Sequence, residues 1–332
     1  MTVSVCIPTY NQAMYIEQSV RSAFNQSWLP IEIIVSDDKS TDNTLIVLEE
    51  LVKEVPILKI IKHQENVGIA GNTDKCLRAA TGKYVVRLDS DDYLAPDYIA
   101  ELARSLEEHS EAGYAHAAVQ EVDQSGNFLK QRQLFRKSGF QTGTDALQAA
   151  IKGYRVAANI IMFRHTALRN VNYLTGRPNF GEDYHLSTAL AAADFGNVYI
   201  NKPLSFYRVW VDGAKVRQRR KLTEIDGLYR VFEEIIEPSY RIRNWSLRNV
   251  QKMRTAFACT HASCLSWSVY TTAEKDELAT ALRKLSKTPL AKLYIWLNLN
   301  GFGEGILLFS KLQQMAVSSL KRLLLTIKTT EN

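Results

Sequence analysis

The chain has 332 residues, 46% of them hydrophobic and 23% charged, which suits a soluble globular protein of one large domain plus a smaller one, or of two domains. This composition excludes a disordered chain, a collagen and a disulfide mini-scaffold; no apolar run nears the ~18 residues of a spanning helix, and four cysteines in this length fit a reducing cytoplasm. The net charge of +6 is uneven: residues 1–220 hold 25 basic and 25 acidic side chains, and residues 221–332 hold 16 and 10.

Met1–Val5 has no basic region before its apolar stretch, so no secretory signal is expected. Val3–Pro8 then reads as a strand. Ile16, Val20 and Phe24 recur every four residues, as on a helix. Ile31–Val35 is a second strand, and Thr44, Val47, Leu48 and Leu51 fit a second helix. Leu58–Lys62, a helix from Ile69 to Ala80, and Tyr84–Leu88 continue the alternation. Pro96 suits the start of a helix carrying Ile99, Leu102 and Leu106. Strands alternating with helices predict crossover units and a mostly parallel sheet. The middle is less regular: Tyr114–Val122, Val156–Phe163 and Val198–Ile200 read as strands, and Gly181 opens a helix through Leu186, Leu190 and Ala193. From residue 221 on, only helices are expected: Leu228 to Ile236, Leu247 to Leu265, Glu274 to Leu285 and Ile306 to Lys328. The domain reading is therefore 1–220 for an α/β domain and 221–332 for a helical region.

In a parallel sheet, ligands bind beyond the carboxyl ends of the strands, so the residues after each strand carry the functional reading. They are Thr9-Tyr10-Asn11, Ser36-Asp37-Asp38, His63 to Gly68, and Asp89-Ser90-Asp91-Asp92. Carboxylates gathered on one sheet edge repel one another unless a cation sits among them or they hold helix N-termini. Asp37 reads equally well as a cap. Three acids in Asp89–Asp92 exceed what one cap needs, and hard carboxylates suit Mg²⁺ or Mn²⁺. Glu182 and Asp183 open a helix, where acids commonly serve the dipole.

Several classes fall away. Pro8-Thr9-Tyr10-Asn11 stands where a dinucleotide fold has its glycine fingerprint, and no glycine-rich loop ends in Lys-Ser/Thr. Cys259, His261 and Cys264 lack zinc spacing. The basic run Lys215, Arg217, Arg219, Arg220, Lys221 has no interleaved aromatic beyond Trp210, so no nucleic-acid partner is expected.

Five motifs in order, Val3–Asn11 (VSVCIPTYN), Ile33–Thr44 (IIVSDDKSTDNT), Asn66-Val67-Gly68, Gly82–Asp92 (GKYVVRLDSDD) and Glu182-Asp183, resemble glycosyltransferase family 2, the inverting nucleotide-sugar enzymes of GT-A fold, over residues 3 to about 210. The resemblance implies a Rossmann-like, mostly parallel sheet flanked by helices. It implies that Tyr10 stacks on the nucleotide base beside Thr9 and Asn11, and that Asp38 hydrogen-bonds the base. Asp91 would meet the ribose, Asp92 the divalent metal (Mn²⁺ or Mg²⁺) with Asp89 in support, and Asp183 of the Glu182-Asp183 pair would be the catalytic base. Two positions depart from the family pattern: Lys39 replaces a glycine after the Asp pair, and Trp210 stands where a histidine is common. Arg208 or the run at 215–221 is then the expected diphosphate contact.

The division of labour agrees with inverting transfer. One carboxylate takes the acceptor proton, and a metal answers charge on the leaving diphosphate. The expected reaction moves a hexose from a UDP-sugar, with dTDP- or GDP-sugars second, to a hydroxyl of a glycan. Family members often act on polyprenyl-diphosphate-linked sugars in capsule or lipopolysaccharide assembly, at the cytoplasmic membrane face. Ile306–Lys328, placed on a helix, opposes an apolar face to a basic one, which fits either core packing or an anionic bilayer. A nucleotidylyltransferase would need an N-terminal glycine-rich loop with Arg and Lys, which is missing. An inactive nucleotide-sugar-binding scaffold on the membrane is the non-enzyme alternative.

Overall fold

A computed structural model describes residues 2–178, 181–210 and 218–303. The chain divides into two compact units, Met1–Arg217 with Asp226–Val250, and Gln218–Ile225 with Gln251–Asn332.

The first unit is built on a ten-stranded sheet. Its strands are β1 (Val3–Thr9), β2 (Glu32–Asp37), β3 (Leu58–Lys62), β4 (Tyr84–Arg87), β5 (Tyr93–Leu94), β6 (Ala112–Val122), β7 (Phe128–Arg132), β8 (Gly139–Gln141), β9 (Ile161–Arg164) and β10 (Gly196–Arg208). The order is β3-β2-β1-β4-β9-β6-β10-β5, with β7 on β6 and β8 on β10. β1 pairs β2 and β4 in parallel, β2 pairs β3 in parallel, and β9 runs antiparallel between β4 and β6. β10 pairs β6 in parallel. The six main strands thus point one way, and the shorter strands between and beside them run against that direction.

The helices on this unit are α1 (Ile16–Phe24), α2 (Thr44–Glu54), α3 (Gly68–Arg78), α4 (Tyr98–Glu108), α5 (Gly143–Ala150), α6 (His165–Asn170) and α7 (Glu182–Ala192). All residues of β1, β2 and β4 are buried, as expected of a parallel sheet covered on both faces. Alternation divides β1 between two cores. Val3, Val5 and Ile7 pack with Ile16 and Val20 of α1, while Cys6 packs with Cys76 and Leu77 of α3. The side chain that seals the start of β2 is polar: Glu32 is buried and accepts from Ser4 Oγ (2.6 Å), Thr81 Oγ1 (2.7 Å), Thr81 N–H (2.8 Å) and Lys59 Nζ (2.6 Å).

Two expected strands differ. Val156–Phe163 shortens to Ile161–Arg164, because only these residues meet β4 and β6 in register; Val156, Ala157, Ala158 and Ile160 are buried without pairing as strand. Val198–Ile200 lengthens to the 13 residues of β10, which pass Pro203 at a shift in register against β6. A proline without an N–H is tolerated in a strand at such a bulge.

Past α7, the helix Lys221–Arg230 continues through a π-turn at Val231–Ile236 into Glu237–Ile242. The second unit holds all but the first three residues of the helix Arg248–His261, and the helices Thr272–Leu285 and Pro289–Leu299. Thr271 and Glu274 close a capping box on the second, and Thr288 caps the third with Pro289 in its first turn. All four cysteines are free thiols. Among the described residues no helix is long and apolar enough to cross a membrane. The expected helix Ile306–Lys328 lies outside the described residues.

Candidate active site

The carboxyl ends of β1, β2 and β4 form one edge. Thr9 and Asp37 are neighbours in register, and the Asp38 N–H donates to Thr9 O at 2.9 Å. The Asn72 amide donates to Thr9 O (3.2 Å) and to Ser36 O (2.9 Å), joining α3 to the same edge. Asp38 is buried, and its carboxylate takes the N–H groups of Val67 (2.8 Å) and Gly68 (2.9 Å). It anchors the positive end of α3, with one N–H on each oxygen and lone pairs left over. Asp37 accepts from the Ser40 N–H at 3.0 Å with one oxygen; its other oxygen and Thr9 Oγ1 are buried without a hydrogen-bond partner among the described residues.

Asn11 sits at φ +53°, and its Oδ1 accepts from Thr41 N–H (2.7 Å). Its side chain therefore fixes the loop after β2. Tyr10 beside it is 47% exposed, leaving a ring surface open at the edge.

Arg87 ends β4 and is buried. A cation within an apolar strand needs counter-charges, and three surround it. Its guanidinium bonds Asp183, lies 3.3 Å from Asp89 Oδ1 and 3.6 Å from Glu182 Oε1. Asp183 and Glu182 open α7 after Gly181, whose φ of +74° permits the turn. Burial, and then the neighbouring Glu182 and Asp89, push the Asp183 carboxyl up to about 8 against the pull of Arg87. Burial also works against the charge of Arg87, but Asp183, Asp89 and Glu182 hold it firmly protonated. Two residues on, His185 is a buried neutral imidazole. Burial pulls it down to about 4; Arg177 donates to Nδ1 (2.6 Å), so Nε2 carries the proton toward Glu234 (2.9 Å) on the π-turn.

The acid turn is held from the other side. Asp92 is buried, and its Oδ1 accepts the Arg208 N–H at 2.7 Å. Burial, Asp91 and Asp89 raise its carboxyl well above the usual range. Asp91 is only partly buried and accepts from Trp210 Nε1 at 2.7 Å; burial and Asp89 raise it as well. Arg208 is 3% exposed, and its guanidinium donates to Asp91 O (2.8 Å), Asp123 O (2.9 Å), Gln124 O (3.0 Å) and Gln18 Oε1 (2.8 Å), with the Tyr15 ring 4.3 Å away. The diphosphate contact expected of Arg208 does not suit a guanidinium so fully engaged with the protein. Residues 215–217 of the basic run lie outside the described residues.

For a divalent ion the donor chemistry fits. Mg²⁺ usually rests on one or two carboxylates plus substrate phosphates, and Asp89 and Asp91 offer that number on one turn. Among the described residues no three metal-donor side chains converge into a cage.

Position after a strand does not mark Arg87, which lies inside β4. Its signal was an arginine inside the apolar strand YVVRL. Trp210, a departure from the family pattern, donates its indole N–H to Asp91 from that position.

A family model described as "Glycosyl transferase family 2" matches residues 4–171, just over half of the chain. The chain belongs to this family. Among curated relatives it is 34% identical over 127 residues to a chondroitin synthase of Escherichia coli, covering 38% of this chain and 18% of that one. It is 28% identical over 218 residues to a GalNAc(5)-diNAcBac-PP-undecaprenol beta-1,3-glucosyltransferase of Campylobacter jejuni, covering 63% and 65%. The chain thus spans less than two thirds of either relative. Among solved structures it is similar to S. aureus TarS 1–349 in complex with UDP (TM-score 0.62, 18% identity, 91% and 89% covered). It is similar also to the mannosyltransferase PcManGT of Pyrobaculum calidifontis with GDP-Man and Mn²⁺ (TM-score 0.55, 20% identity, 92% and 86% covered). The sheet shares the fold of these glycosyltransferases.

Proposed function

We propose that this family member is an inverting glycosyltransferase that moves a hexose from a UDP-sugar to a hydroxyl of a growing cell-surface glycan. The observation that carries the reading is the buried Arg87–Asp183 pair beside the acid turn. Burial raises the Asp183 carboxyl above the ordinary carboxylate range, toward the working pH at which a general base is most effective. In this reading Asp183 takes the proton of the acceptor hydroxyl as its oxygen attacks the anomeric carbon from the face opposite the nucleotide, inverting that centre. Arg87 orients Asp183 and, with Glu182, sets its charge.

Tyr10 stacks on the base, with the Thr9 backbone and Asn11 beside it, and Asp38 uses its remaining lone pairs on the base while holding α3. Asp89 and Asp91 would hold a divalent ion. When bound, Mn²⁺ or Mg²⁺ supplies positive charge to the leaving diphosphate. Asp92, expected to ligate the metal, is buried with its Oδ1 on the Arg208 N–H, which suits it to fixing the turn, whereas Asp91 is partly exposed. The UDP and Mn²⁺ named with the two solved neighbours support a nucleotide donor and a metal here. The undecaprenol-linked acceptor named for the Campylobacter relative supports a polyprenyl-diphosphate glycan as acceptor, met at the cytoplasmic face of the membrane by a peripheral protein. Residues 1–220 carry donor binding and catalysis.

The test is UDP release from a panel of UDP-sugars with and without Mn²⁺. Slow metal-dependent hydrolysis of one donor is expected, lost in Asp91→Asn. Hydrolysis that is indifferent to chelator and to Asp91→Asn contradicts the metal assignment, and absence of hydrolysis with every donor contradicts the donor.

A further inference from the structure

The acid turn leads directly into an aromatic stack that the donor reading does not use. Tyr93 follows Asp92 and pairs with Phe206 of β10 in antiparallel register. Their rings are parallel within 9°, with centroids 4.4 Å apart. Phe128, at the start of β7, continues the stack at 5.8 Å and 25° from Phe206, and it is 69% exposed. Apolar side chains grouped at a surface, unlike ones scattered singly, mark interaction or ligand-binding sites.

The stack is fixed to the acid turn. Arg208 takes Asp91 O with Nε, and with Nη1 it takes Asp123 O and Gln124 O in the turn that leads into β7. Its own N–H holds Asp92. One buried guanidinium therefore locks the Phe128 hairpin to the residues proposed to meet the nucleotide sugar.

We infer that the Tyr93–Phe206–Phe128 stack is an acceptor subsite, on which a sugar ring of the glycan lies against the Phe128 face. A pyranose presents a face of C–H groups with partial positive charge, which suits the negative face of an aromatic ring. A fixed ring also gives contact area at little conformational cost. Continuity with the acid turn Asp89–Asp92 favours a sugar over a protein partner. This inference rests on the transferase reading.

The probes are four soluble tetrasaccharides, of chondroitin, hyaluronan, chitin and cellulose, observed by saturation-transfer NMR with the full chain. Wild type is expected to transfer saturation to C–H protons of at least one of them. Phe128→Ala should reduce that signal at least fivefold, and Phe128→Tyr should restore it. The exposed position makes both variants safe for folding, and the UDP-induced thermal shift should be equal in all three proteins. No signal from any probe with wild type, or equal signals from wild type and Phe128→Ala, overturns the subsite. So does a wild-type dimer in light scattering that Phe128→Ala converts to monomer with sugar signals unchanged, since the face would then belong to a second copy. A wild type that shows no thermal shift with UDP, yet binds a tetrasaccharide through Phe128, contradicts the UDP-donor reading and leaves the subsite standing.

Discussion

The side chains at the end of β4 separate chemistry from stability. Asp183→Asn keeps the shape of α7 but removes proton acceptance. It should lower kcat by ~10²–10⁴-fold, the usual scale for losing a general base, with UDP affinity unchanged. Steady-state kinetics beside UDP titration checks this, and a variant that loses UDP binding at unchanged kcat contradicts the assignment. Arg87 answers three carboxylates inside the protein. Arg87→Ala leaves them without a counter-charge, and breaking such a buried pair typically costs about 3–5 kcal/mol; denaturant unfolding should show a loss of that order. Glu32 gives a pH-dependent case far from catalysis. Burial opposes its charge, but Lys59, Ser4 and Thr81 overcome this and hold its carboxyl at about 2, against 4.5 when free. A depressed folded value means that the unfolded chain binds the proton first, so the stabilisation is full above ~pH 5 and fades as pH falls toward 2. A shift of this size is worth about 3 kcal/mol. Glu32→Gln should lose this increment at pH 6, and the gap from wild type should narrow on going to pH 3; a constant gap contradicts the linkage.

At the scale of elements, β10 organises the site. Its last residue sends one guanidinium to α1, the acid turn and the β6–β7 turn, and two residues later Trp210 holds Asp91. Lysine cannot reproduce a planar fork with several donors. Arg208→Lys should therefore raise donor KM several-fold and lower Tm, while Trp210→Phe, which keeps an aromatic partner for Tyr15 but drops the Asp91 bond, should raise donor KM with little change in Tm. Equal Tm losses in both variants would contradict this division. The alternation from Val3 to Leu106 was legible because each element there is periodic and closed by its own strand or helix signals. β10 was not, because Val198–Ile200 and Pro203–Arg208 read as separate pieces until a bulge against β6 joins them. Exposed β7 carries no alternating pattern, and β9 is cut short by its two partners rather than by its own residues. The same limit governs the site. The acids could be found by position after strands, but Arg87 gains meaning only when β4 and the start of α7 meet, 96 residues apart in the chain. The spacing in Asp89–Asp92 likewise cannot tell which carboxylate turns inward to the Arg208 N–H.

Across the whole molecule, charge is segregated. Residues 1–220 are neutral in sum, and residues 221–332 carry the entire +6. Within Leu278–Lys328 there are eight basic residues and one acid, Glu304. The second unit also exposes Leu290, Leu293, Trp296 and Phe302 on and just after its last described helix. Apolar and aromatic side chains among cations are the combination an anionic bilayer surface attracts. If an acceptor anchored in lipid is the substrate, this region should bring the catalytic residues to the membrane. Each Lys or Arg near an anionic surface contributes about 1 kcal/mol, and the attraction is screened within ~8 Å at physiological salt. The protein should therefore co-sediment with phosphatidylglycerol vesicles at ~50 mM salt and release at ~500 mM. Replacing Lys311, Lys321, Arg322 and Lys328 by Gln should remove about four kcal/mol of attraction at most and reduce binding strongly. UDP-sugar hydrolysis should persist in that variant, since the proposed catalytic residues lie between Thr9 and Asp183. Wild type that ignores anionic vesicles at low salt contradicts membrane recruitment by charge. Binding that survives both high salt and the four substitutions would instead place the attraction in the apolar face at Leu290, Leu293 and Trp296, where substitution by Ser should abolish it.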